Sequence, residues 1–138
     1  MTEIKPGKYI EHYSIPSAGT YNTVPPFTTS MVKGPECTID AVRIVGNSSS
    51  PCIYVGGGTH GDEINGVAAA LRLVEEISPE GLNGSLVIVP VQNPLGFKYR
   101  SRLNPYDPID PDWVDVDQPS GQYTKSVKKT LYELIEDA

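Results

Sequence analysis

The chain has 138 residues, a formal net charge of −6 and a sequence pI of ≈ 4.8, a length that suits one domain or most of one. The acidic balance, with no basic cluster to offset it, argues against a nucleic-acid surface, and no apolar run nears the ~20 residues needed to span a bilayer. Met1–Glu11 is broken by Pro6 and by charges at Glu3, Lys5 and Lys8, so it does not read as a signal peptide, and the expected location is the cytoplasm.

The first thirty-five residues are punctuated by Pro16, Gly19, Pro25, Pro26, Gly34 and Pro35. Residues 1–35 are therefore expected to be a β-rich, turn-rich segment, with strands at Tyr9–Ile15 and Phe27–Val32, one of them at an edge. His12 alternates with Ile10 and Ser14 and reads as an exposed strand position rather than a ligand. Thr38–Val45 reads as a stronger strand, with Ile39, Ala41, Arg43 and Val45 sharing one face. Asn47–Pro51 turns into a short strand, Cys52–Val55, expected to be buried. Cys37 and Cys52 lie too far apart for a metal-site spacing and are expected to be reduced.

A glycine-rich turn, Gly56-Gly57-Gly58-Thr59-His60-Gly61-Asp62-Glu63, follows that strand. Val67, Ala70, Leu71 and Val74 then recur at helical spacing, which predicts a helix over 63–77, ended by Ser78-Pro79. Residues 81–84 form the return loop to an apolar strand, Leu86–Val91. Strand, helix and strand in succession predict a parallel crossover in an α/β sheet with helices on its faces. Ligands in such sheets gather beyond the C-terminal ends of the strands, where His60 and Asn93 both fall.

His60 and Glu63 stand three apart at the helix start and can offer an imidazole nitrogen and a carboxylate oxygen to one metal ion; zinc accepts both. Gly56, Gly58 and Gly61 also satisfy the dinucleotide-binding spacing G-x-G-x-x-G. That reading requires an acidic residue at the end of the next strand, where Gln92 and Asn93 stand instead. A P-loop fails as well, because no Gly-Lys-Ser/Thr follows. On their own, His60 and Glu63 also suit a turn without chemistry.

Residues 92–121 make a long connection holding five prolines, of a kind that is usually functional or disordered. Trp113, Tyr99 and Tyr106 are placed to anchor it or to line a pocket. Its aspartates at 107, 110, 112, 115 and 117 lack the ligand order of a calcium loop. Residues 125–137 read as a final helix with Val127, Leu131, Leu134 and Ile135 on one face and Lys125, Lys128 and Lys129 on a solvated one.

Three blocks carry a family resemblance. They are Gly57-Gly58-Thr59-His60-Gly61-Asp62-Glu63-Ile64-Asn65-Gly66, then Gly84 with the strand into Pro90, then Asn93-Pro94-Leu95-Gly96-Phe97 with Arg100 and Arg102 close behind. In this order and at this separation they resemble the zinc-dependent succinylglutamate desuccinylase and aspartoacylase family, relatives of the zinc carboxypeptidases. The resemblance implies an α/β fold, a zinc-carboxypeptidase-like mixed sheet with helices on both faces. It implies a Zn2+ cofactor held by His60 and Glu63, and hydrolysis of an amide bond in an N-acyl amino acid or similar small substrate. Arg102 then corresponds to the arginine that supports the carbonyl oxygen as it becomes an oxyanion, with Arg100 as second choice. Substrate contacts fall to Asn93, Arg100 and Arg102.

Two departures accompany the matches. The stretch from Asp107 to Gly121 lacks the family's Asn-Arg pair, so a substrate carboxylate would fall to Arg100 or Arg102. The family's third zinc ligand, a histidine on the strand after the next helix, has no counterpart, and neither does its later glutamate base. His12 is the only other histidine, and it comes in the wrong order. The resulting expectation is that residues 36–138 are the N-terminal portion of an α/β zinc hydrolase domain, cut before the strand carrying the third ligand. By itself this piece would be inactive and would bind zinc weakly. The alternatives are a non-catalytic binding or regulatory module that retained the fold without a complete metal site, or a metal shared with a second chain. The expected partner is a small molecule, with no nucleic acid and no membrane; oligomerisation is left open.

Overall fold

A computed structural model describes residues 5–15, 37–107, 109–117 and 122–138. The strand expected at 27–32 lies outside these residues. Four strands form one mixed sheet: β1 (Gly7–Ile15), β2 (Cys37–Ser48), β3 (Cys52–Gly56) and β4 (Gly84–Val89), in the order β1-β2-β4-β3. β1 and β4 run antiparallel to β2, whereas β3 and β4 are parallel. The connection between β3 and β4 carries helix α1 (Ile64–Glu76), so the expected crossover unit is present.

Alternation along the central strands sends residues to both faces of the sheet. Ile39 and Ala41 of β2, with Val87 and Val89 of β4, pack against Tyr123, Val127 and Leu134 of a helix that we label α3 (Gln122–Glu136), α2 being a short helix at Pro94–Lys98. On the other face, Ile44, Leu86 and Ile88 meet Ala70, Leu73 and Val74 of α1. Helices therefore cover both faces, and β4 is buried along its whole length. Each fully buried aliphatic side chain here contributes about 1.5–3 kcal/mol.

Four details differ from the sequence reading. β3 was expected to be buried, but it pairs only with β4 among the described residues, and Ile53 is 57% exposed. A short apolar run looks the same at an edge as in the middle of a sheet. The long connection holds α2, and Trp113 within it is 85% exposed, so its ring does not anchor the loop. Tyr99 and Tyr106 pair edge to face at 5.9 Å. Ile135 is half exposed, and Lys128, expected to be solvated, donates to the carbonyls of Pro111 (2.8 Å) and Val114 (3.1 Å), tying the loop to α3.

The pairing of β1 with β2 includes a polar tie. Glu11 accepts hydrogen bonds from Tyr13 (2.6 Å) and from Arg43 Nε of β2 (3.0 Å). Burial works to raise the Glu11 carboxyl pKa, but these two donors outweigh it and hold the group below its ordinary value. A depressed carboxyl adds stability above its unfolded pKa, about 4.3, and loses it as pH falls through the folded value. The melting temperature of the wild type should therefore drop faster than that of Glu11→Gln as pH is lowered below ~4.3. Parallel curves would show that the tie is not linked to folding. Among the described residues, no helix is long and apolar enough to cross a membrane.

Candidate metal centre

The parallel pairing of β3 with β4 continues past the strand ends. Gly57 N donates to Val89 O (2.9 Å), Gln92 N to Gly57 O (2.9 Å) and Asn93 N to Gly58 O (3.0 Å). Both motif loops thus leave the same end of the sheet side by side. Asn93 caps α2, its side-chain oxygen accepting from Gly96 N at 2.9 Å with Pro94 in the first turn. Helix α2 closes with paired bonds from Ser101 N to Gly96 O and from Arg100 N to Phe97 O, with Arg100 in the left-handed region (φ 53°). This is a Schellman turn, and it reverses the chain. Arg102 then returns to the first loop, where its carbonyl accepts Gly61 N at 3.2 Å. A Cβ at Gly61 would lie 1.9 Å from the Gly96 carbonyl carbon and 2.3 Å from Ser101 O, so only glycine allows this approach.

His60 is 3% exposed, and each ring nitrogen faces a carboxylate. Nδ1 lies 2.9 Å from Glu63 Oε1, and Nε2 lies 2.9 Å from Asp110 Oδ1. Glu63 occupies the N-cap position of α1, yet its carboxylate makes no capping bond. It turns instead towards His60, which also gives it a bond from His60 N at 3.3 Å. Arg102 adds a guanidinium 3.9 Å from Glu63 Oε1 and 3.5 Å from Asp110 Oδ2. Asp112 stands further off, 3.8 Å from Nε2.

The electrostatics favour a cation on this imidazole. Burial works to lower the pKa of His60, but hydrogen bonds to Asp110 and Glu63, with the charges of both, carry it above its ordinary value. The Glu63 and Asp110 carboxyls are held low, chiefly by their hydrogen bonds to His60. A proton or a metal ion satisfies the same arrangement. Two ligand atoms on a tetrahedral zinc stand ~3.3 Å apart for bonds of ~2.0–2.2 Å. The 2.9 Å between Nδ1 and Oε1 needs only a slight opening to match that. If Nε2–H donates to Asp110, the Nδ1 lone pair is left for the metal, the usual arrangement of a ligating histidine. A second placement uses the other side of the ring, where ligand atoms of His60, Asp110 and Asp112 all lie within 4.8 Å of one another. The two placements make different predictions. With the metal on Nδ1, Asp110→Asn should weaken zinc binding 10–100-fold and Asp112→Asn should leave it unchanged, as read by competition with a chromophoric chelator. Equal losses in both variants would move the metal to Nε2.

Of the residues singled out in the sequence, the structure brings His60, Glu63 and Arg102 together. Arg100 is an exposed turn residue, and no ion pair joins it to the others among the described residues. Asn93 is buried as a helix cap and also lines a cavity of ≈ 290 Å³ between the motif loops and α3. Thr59 and Gln92 share that wall, with Val127, Leu131 and Tyr132 opposite. His12 is on β1, across the sheet from β3, bonded to Asp40 at 2.7 Å on an exposed surface. Among the described residues no third ligand joins His60 and Glu63 on the Nδ1 side. Sequence reasoning missed Asp110, because five aspartates share its loop and nothing in their spacing singles one out.

Comparison with known proteins agrees with this geometry. Residues 49–110, which hold both motif loops, match the model of the Succinylglutamate desuccinylase/Aspartoacylase catalytic domain. In these residues the chain resembles the succinylglutamate desuccinylase/aspartoacylase family. Among curated proteins, it is 28% identical over 92 residues to N-alpha-acetyl-L-2,4-diaminobutyric acid deacetylase of Halomonas elongata, covering 61% of this chain and 27% of that protein. Its fold matches an aspartoacylase family protein from Mesorhizobium loti with a TM-score of 0.76 at 21% identity, over 96% of this chain and 38% of that one. An ectoine utilization protein from Ruegeria pomeroyi, solved with product bound, gives 0.70 at 24% identity, over 95% of this chain and 37% of that one. The chain thus spans less than two fifths of the relatives it matches.

Proposed function

We propose that residues 36–138 form part of the domain of a zinc-dependent deacylase that hydrolyses the amide bond of an N-acyl amino acid or a similar small substrate. The observation that carries this reading is the buried imidazole of His60, held between Glu63 and Asp110 with Arg102 beside both carboxylates. The family's deacylating members support the reaction class, and the Halomonas elongata relative is named for removing an acetyl group from an amino acid.

His60 and Glu63 would hold the zinc, which when bound supplies a Lewis acid for the amide carbonyl and for the attacking water. Asp110 keeps the proton of His60 on Nε2 and fixes the ring in place. The guanidinium of Arg102 is placed to meet negative charge as it grows on the carbonyl oxygen, a role that single donors fill to the extent of about 10²–10³ in rate. The same group can take a substrate carboxylate, and Arg100 is free to do so from the neighbouring turn. The adjoining cavity offers room for a small side chain against the apolar face of α3.

The test is acyl release from N-acetyl-2,4-diaminobutyrate and from N-acylated acidic amino acids by the protein at its full natural length. Chelation should abolish turnover, Zn2+ should restore it, and His60→Ala should reduce it to the background rate. Turnover that survives both chelation and His60→Ala would sink the proposal. A protein that binds zinc and the amino acid but hydrolyses nothing would instead be a binding module.

A further inference from the structure

The wall shared by the metal-ligand turn and the cavity contains one side chain whose two ends are both committed. Gln92 Oε1 accepts the hydroxyl of Tyr54 at 2.9 Å, and Gln92 Nε2 donates to Thr59 Oγ1 at 2.9 Å. Tyr54 belongs to β3, and Thr59 immediately precedes His60. The amide lies flat over Gly56, where an added Cβ would fall 2.5 Å from its carbon and oxygen. Its backbone N–H is also used, bonded to Gly57 O at 2.9 Å.

The amide stands with its oxygen towards Tyr54 and its NH2 towards Thr59, and burial pushes the Tyr54 pKa up to about 12, so the phenol keeps a proton to donate. A strand residue is thereby linked to the turn that presents His60. Hydrogen bonds made directly to a metal ligand orient it and support affinity, and a bond to the residue beside the ligand acts on the same geometry one step further out.

We propose that Gln92 is a positioning residue of the metal centre, holding the Thr59–His60 turn against β3 so that the imidazole meets Glu63 and Asp110 in register. The inference rests on the zinc reading of the site. The neighbouring Asn93 does not take this role, since it is spent on capping α2.

The test uses the protein at its full natural length loaded with Co2+, whose visible absorption reports ligand geometry, together with Zn2+ affinity by chelator competition. Gln92→Leu, which removes both bonds, should shift the cobalt spectrum and weaken zinc binding, by less than the ~10–100-fold that follows loss of a direct bond to a ligand. Gln92→Glu keeps both links, because the Thr59 hydroxyl can turn and donate to the second carboxylate oxygen, and should stay nearer to wild type than Gln92→Leu does. Gln92→Leu and Thr59→Val should be non-additive, since they cut one link. A Gln92→Leu protein with a lowered melting temperature but an unchanged cobalt spectrum and zinc affinity would make Gln92 merely structural and overturn the inference. Should the wild type take up no metal, or His60→Ala take up as much, the zinc reading itself fails and the inference falls with it.

Discussion

Gly61→Ala is expected to destabilise the protein by about 3 kcal/mol, roughly 10 °C in melting temperature for a chain of this size. The new methyl group would occupy the space of the Gly96 carbonyl carbon, 1.9 Å away, and of Ser101 O, 2.3 Å away. Both are backbone atoms, so no side chain can rotate aside, and the two motif loops must part. That parting would break the bond from Gly61 N to Arg102 O and draw Arg102 away from Glu63 and Asp110. Metal affinity and any arginine-dependent step should therefore fall with stability. Thermal unfolding followed by circular dichroism gives the first reading and chelator competition the second. A variant melting within a degree or two of the wild type would show that the loops do not interlock as described.

Asp107→Ala is the other large effect, and it acts away from the metal. Asp107 is buried, and its carboxylate accepts from Tyr123 N (2.7 Å), Thr124 N (2.9 Å), Thr124 Oγ1 (2.6 Å) and Asn104 Nδ2 (2.6 Å). The first two are N–H groups at the start of α3, which lack partners within their own helix. Burial pushes the carboxyl pKa up, against the pull of these donors. Alanine would leave several buried donors unsatisfied, at about 1–3 kcal/mol for each that water cannot reach, so a loss of ~3 kcal/mol or more is expected. Asp107→Asn should rescue little, since its amide must present N–H to N–H on one side or the other. Urea unfolding of the three proteins decides the point: Asn matching wild type would mean that shape alone matters there. Because α3 covers one face of the sheet and one wall of the cavity, its loosening should also be visible as faster amide exchange in β2 and β4.

The carboxylates of the connecting loop show where sequence and structure part company. Asp107 and Asp110 are three residues apart in one aspartate-rich loop, each before a proline, and that shared signal does not tell their roles apart. One of them anchors a helix and another sets a histidine, because the Schellman turn after α2 and the tie of Lys128 to the loop bring it across the ends of the strands. Those contacts join residues distant in sequence, and no window of spacing contains them. The same holds for β3, whose apolar run is compatible with a central or an edge position until its partners are known.

What the sequence determined by itself was the local chemistry. Alternation in β2 and β4 and helical spacing in α1 set the crossover unit, because burial periodicity is written into each segment. The spacing from His60 to Glu63 put two ligand types within reach of each other, since three residues across a tight turn cannot place them far apart. The ordered motif blocks carried the family resemblance. The tertiary structure alone decided which arginine joins the site, which aspartate sets the imidazole, and that Gln92 bridges β3 to the ligand turn. These depend on how the loops at one end of the sheet pack against each other, with Gly61 pressed on Gly96, and on distances that close only when the parallel pairing of β3 and β4 brings both loops together.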